Sequence, residues 1–241
     1  MERSEGRTVS KSKAEGGDGA GAPVNAQAVL ETLRAMGSER DRQGMARFGI
    51  NTARALGVSM AAMSPLARQL RRRHGLAQEL WETGVHEARI LACLIADPGL
   101  ATPELLEAWV RDLDSWDITD QFCNKLVVRT AWAWELAAAW AERPEEFVRR
   151  AGFSLMAQLA VHDKKAEDAA FLPLFGLVSR QADDGRNFVK KAVNWALRQI
   201  GKRNPALHRE ALSLARQLSE RPEASARWIG RDAVKELEAR G

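Results

Sequence analysis

In the segment SWDITDQFCNKLV, a tryptophan and an aspartate stand one helical turn apart. A helix starting near Trp116 puts Ile118, Phe122 and Leu126 on one apolar stripe. Trp116, Asp120 and Asn124 then share another face, at i, i+4 and i+8. An aromatic ring beside a carboxylate, off the core stripe, is a pair that attracts positive charge. The plain alternative is a helix-start tryptophan next to a solvated aspartate. Farther along, EEFVRRAGFSLMAQLAV sets Val148, Gly152, Leu155 and Leu159 on its apolar side. Arg150 falls nearly opposite, among Ser154 and Ala157, small residues that leave room for close approach; a simple surface arginine is the alternative. Finally, RNFVKKAVNWALRQIGKRNP carries an apolar stripe of Val189, Val193, Ala196, Leu197 and Ile200, with Trp195 roughly opposite among Asn187, Lys191, Arg198 and Lys202. A large ring among cations is either buried by a further layer of helices or touches a ligand both anionic and apolar, and nucleic acid is such a ligand.

The elements that must position these residues are all helical. Periodicity and caps predict helices over 25–36, 39–48, 60–73, 76–83, 85–96, 102–112, 116–128, 131–142, 144–161, 167–183, 186–201, 205–219 and 223–239. Breaks fall at Gly37, Gly57, Gly75, Gly84, the DPG at 97–99 and the DDG at 183–185. Pro103, Pro144, Pro205 and Pro222 suit first turns, where the missing N–H costs nothing. No alternating run is framed by hairpin turns. Short helices with short connections make either a bundle or a solenoid of helix pairs. From residue 85 onward the recurrence is about 35–45 residues per pair, in the range of HEAT or armadillo repeats. Of the eight tryptophans, Trp81, Trp109, Trp132, Trp140 and Trp228 lie near apolar stripes and read as core.

Charge is unevenly spread. From Arg186 to the end there are 13 Lys or Arg against 6 Asp or Glu, a net +7, which leaves −3 for the rest of a chain at +4. Residues 186–203 hold six Lys or Arg and no acid. Such asymmetry points to a localised anion-binding surface, although many charge runs are only solvated helix exteriors. Cys93 and Cys123 sit among apolar neighbours and form no CxxC pair, which fits buried thiols in a reducing cytoplasm. No segment has the apolar core of a signal peptide or the length of a membrane span. Residues 1–23, rich in Gly, Ser and charge, read as a disordered tail, with order beginning near Val24. Phosphate-loop, HExxH and GxSxG motifs are absent, and His74, His86, His162 and His208 are scattered, which argues against metal catalysis or a Ser-His-Asp triad.

Together with ARFGI (46–50), W-D-x-x-D (116–120), V-R-R-A (148–151), HDKK (162–165) and K-A-V-N-W-A-L-R-Q-I-G-K-R-N-P (191–205), these residues make the chain, over roughly 25–238, resemble the DNA alkylation-repair glycosylases of the AlkD type. The resemblance implies an all-α, right-handed solenoid of HEAT-like repeats with a basic concave groove for duplex DNA, spanning 24–241 after the tail. It implies a catalytic pocket of Trp116, Asp120, Arg150 and Trp195. Asp120 would stabilise positive charge on the deoxyribose and orient water, the two tryptophans would bracket the sugar and backbone, and Arg150 would hold a neighbouring phosphate. It implies release of purines made cationic at N3 or N7 without base flipping, by a monomer without metal or organic cofactor, cytoplasmic and nucleoid-associated when bound to DNA. Lys190, Lys191, Arg198, Lys202 and Arg203 are the expected DNA-binding cations, salt-dependent and indifferent to sequence. Two rivals remain at this level: a non-catalytic solenoid that binds damaged or branched DNA, and an adaptor that holds protein in its groove.

Overall fold

The computed structural model describes residues 24–239, so the expected tail at 1–23 lies outside the described residues. Thirteen α-helices and no strand occur among them. They are α1 (Ala26–Met36), α2 (Glu39–Arg47), α3 (Met60–Gln69), α4 (His74–Glu82), α5 (His86–Ile95), α6 (Pro103–Arg111), α7 (Trp116–Gln121), α8 (Ala133–Ala141), α9 (Glu146–His162), α10 (Asp168–Gln181), α11 (Asn187–Gly201), α12 (Pro205–Ser219) and α13 (Ala224–Glu238). The arrangement is the expected α-solenoid of HEAT-like helix pairs. No helix among the described residues is long and apolar enough to cross a membrane.

Local chemistry sets most boundaries. Asn25, Ser38, Ser59, Thr102 and Asn204 each accept a backbone N–H of the first turn of the helix they precede. Pro103 and Pro205 occupy the first turns of α6 and α12, whereas Pro144 and Pro222 stand just before α9 and α13. The predicted helix over 116–128 is more broken than its pattern indicates. After α7 the backbone widens into a π-helical turn at Phe122–Leu126 and tightens into a 3-10 turn at Val127–Arg129. The expected stripe still enters the core, with Ile118, Phe122 and Leu126 buried.

The middle of the solenoid is built on aromatic rings and one enclosed helix. Trp81 and Trp109 stack with centroids 4.2 Å apart, and Phe122 packs 5.9 Å from both Trp81 and Trp140. Two of these buried indoles donate to carboxylates: Trp81 Nε1 to Asp112 at 2.9 Å and Trp140 Nε1 to Glu107 at 2.9 Å. Two of the five tryptophans read as core lie elsewhere, since Trp132 and Trp228 are each 39% exposed. Helix α9 is packed between α7, α8 and α11 and is buried on every side from Arg150 to Ala160. Its expected open face therefore does not exist, and Arg150 points into the protein.

Candidate functional site

Helices α7, α9 and α11 converge with the turn after α2 on one cavity of about 650 Å³. Trp116, Asp120, Arg150 and Trp195 all line it, although they come from three helices spread over 80 residues of sequence. The i, i+4 spacing places Trp116 and Asp120 on the same wall. Arg150 enters from α9 and Trp195 from α11.

Asp120 is the best-anchored of the four. Arg150 Nη2 donates to both carboxylate oxygens, at 3.0 and 2.8 Å, and Ser154 Oγ donates to Oδ1 at 2.8 Å. Two side chains aiming donors at one carboxyl group hold it as an acceptor, that is, as a carboxylate. Burial raises its pKa above the ordinary aspartate value, while Arg150 and Ser154 pull in the opposite direction. The Asp120 side chain keeps 22% of its surface, against 6% for that of Arg150, so the cavity meets mainly the carboxylate, with the guanidinium packed behind it.

Arg150 differs from its expected role. Its Nη1 donates to the Phe188 carbonyl at 2.7 Å, its Nη2 is committed to Asp120, and its Nε is buried without a partner. A guanidinium so engaged orients Asp120 and ties α9 to α11; it is not presented to an outside phosphate. It also lies 6.0 Å from the Trp116 ring centroid, steadying that ring.

Trp116 is fixed at its other end by a hydrogen bond from Nε1 to the Phe48 carbonyl at 3.0 Å. This contact gives ARFGI a structural meaning that the sequence alone leaves open. Gly49 follows with φ +74°, and a Cβ there would meet the Phe188 ring at 2.9 Å, so the turn needs glycine for both conformation and space. The turn carries Phe48, 72% exposed, to the cavity rim beside Arg47. Neither was among the expected site residues. The available signal was an aromatic next to a glycine at the end of a polar helix that buries no residue. Next along α7, Asp117 faces away from this cavity to accept from buried His86 Nε2, at 2.9 Å. Burial disfavours the charged imidazole, but the Asp117 hydrogen bond and nearby carboxylates prevail and raise the His86 pKa.

The five expected DNA-binding cations separate sharply. Lys191 is exposed and lines the cavity. Lys190 sits 4.7 Å above the Trp228 ring, toward α13. The other three are engaged within the protein. Arg203 donates to the carbonyls of Ala160, Asp163 and Ala166 at 2.8–2.9 Å and stacks 4.1 Å over Phe171, closing the end of α9. Arg198 and Lys202 both pair with Glu236 on α13. Their acidic partner is 34 or more residues away in sequence, which is why 186–203 reads as uncompensated on its own.

A family model described as "DNA alkylation repair enzyme" matches residues 29–237. A solved structure described as a new family of proteins related to the HEAT-like repeat DNA glycosylases, with affinity for branched DNA structures, superposes with a TM-score of 0.73 at 22% identity. The match covers 90% of this chain and 95% of that one, and at this identity it speaks for the shared fold. No curated protein matches.

Proposed function

This chain belongs to the DNA alkylation repair enzyme family, and we propose that it hydrolyses the N-glycosidic bond of purines made cationic by alkylation at N3 or N7 in duplex DNA. The observation that carries the reading is Asp120, an anchored carboxylate that shares with two tryptophans a cavity with exposed cations at its rim. A cationic purine leaves as a neutral base, so no strong general acid is required. As the bond from C1′ to nitrogen breaks, positive charge develops on the deoxyribose. A fixed carboxylate nearby lowers the energy of that charge and costs no reorganisation. Water adds to C1′ and loses its proton, and the base departs with the electron pair. Trp116 and Trp195 would offer ring faces to the sugar, and Lys191 and Arg47 would meet the phosphates. Arg150 and Ser154 serve as positioning residues for Asp120. In this reading the lesion stays in or near the duplex while the cavity engages its sugar and backbone.

A second reading, binding of damaged or branched DNA without catalysis, is the one the comparisons favour more directly. The structural relative is described by its affinity for branched DNA, whereas catalysis here rests on the cavity residues. Release of N7-methylguanine or N3-methyladenine from methylated duplex DNA separates the two. Tight DNA binding with no release of either base, and preference for a junction over a duplex, would establish the second.

A further inference from the structure

On α13 the acidic residues are engaged by partners, although Asp232 keeps 41% of its side chain exposed and Glu238 is exposed in its pair with Arg216. Asp232 accepts from Asn194 Nδ2 at 2.6 Å and lies 3.8 Å from Arg198, while Glu236 takes Arg198 and Lys202. Arg227 is likewise consumed, donating to the carbonyls of Arg221 and Pro222. The face left outward holds Trp228, Arg231 and Lys235, at i, i+3 and i+7, all exposed. They border a shallow hollow of about 410 Å³, where the one carboxylate, Asp232, is tied to Asn194. Arg231 and Lys235 have no ion-pair partner among the described residues. An indole 39% exposed to water, touched by one ammonium and flanked by two free cations, has no account in the packing of the solenoid.

We propose that this face of α13, continued by Lys190 of α11, is a second DNA contact that grips the sugar–phosphate backbone of the duplex beyond the Asp120 cavity. The proposal rests on the DNA-binding reading above. Charge complementarity selects the ligand: Arg231, Lys235 and Lys190 suit successive phosphates, and the indole suits the apolar face of a deoxyribose between them. Continuity supplies the path, because Lys190 on the Trp228 ring is the chain neighbour of Lys191, which lines the cavity. The two faces thus meet on α11, where the side chains of Lys190 and Lys191 diverge by about 100° around the helix axis.

The test is equilibrium binding of the full chain to a 25-base-pair duplex across a salt series, comparing wild type with Trp228→Ala and with Arg231→Ala/Lys235→Ala. Removing two phosphate contacts is expected to lower the slope of log K against log salt by about 1.8, and to weaken binding about tenfold or more at low salt. Trp228→Ala is expected to weaken binding about fivefold or more with little change of slope. Circular dichroism confirms that each variant is folded, which the exposure of all three positions favours. Wild-type binding with unchanged affinity and slope in every variant overturns this proposal alone. Failure of the wild type to bind duplex DNA overturns the reading of the cavity as well. Equal competition by polyglutamate would assign the face to acidic protein and also overturn it.

Discussion

Asp120 concentrates the account at the scale of single residues. Asp120→Asn keeps the shape and an acceptor but removes the charge, so base release should fall about 10²–10³-fold, in the range seen when one electrostatic stabiliser is lost. DNA affinity should hold or improve, as measured by parallel binding titrations. Wild-type release should also weaken in acid. The Asp120 pKa is raised by burial, so the active carboxylate is lost as pH falls through a value above the ordinary aspartate range. A pH–rate profile flat through that region would contradict the assignment. His86 bears on stability rather than on rate. Its raised pKa stabilises the fold fully below the ordinary imidazole value, and that contribution is lost as pH rises through the shifted one. Urea unfolding followed from slightly acid to alkaline pH should show this decline, and His86→Gln should flatten it.

Helices act as levers here, and glycine sets how closely they approach. A Cβ on Gly152 of α9 would lie 2.3 Å from the backbone nitrogen of Ala141 and 2.9 Å from the Ala137 carbonyl oxygen. Backbone cannot step aside cheaply, so Gly152→Ala should force α8 from α9 and cost about 1–3 kcal/mol. Thermal melts should register this as a drop of several degrees. Because α9 carries Arg150 and Ser154, the same variant should also slow base release. At this scale most of the fold was legible: caps such as Asn25 and Thr102, and prolines such as Pro103, state their role within four residues. The π-helical turn after Asp120 was not, because 116–128 keeps an unbroken apolar rhythm and the wider turn is a response to packing. The buried state of Arg150 was hidden for a similar reason. Its partners Asp120 and Phe188 lie 30 and 38 residues away.

Over the whole molecule, the excess of positive charge in the last quarter of the chain divides into internal and external parts. Lys202 is spent on Glu236, whereas Lys191 faces the cavity. Lys191→Ala should therefore weaken DNA binding and reduce the salt slope by about 0.9, while Lys202→Ala should leave the slope nearly unchanged and lower stability instead. Titrations in a salt series, paired with thermal melts, distinguish the two. The sequence revealed the four cavity residues because each breaks the apolar rhythm of its own helix. It could not sort the cations, whose partners on α13 come from a different repeat. The most direct measurement is single-turnover base release from a duplex carrying N7-methylguanine, at saturating protein, for wild type and Asp120→Asn. The account predicts release by wild type that falls at least 100-fold in the variant, with DNA binding intact. Equal release by both, or none by a wild type that binds the duplex, would contradict it.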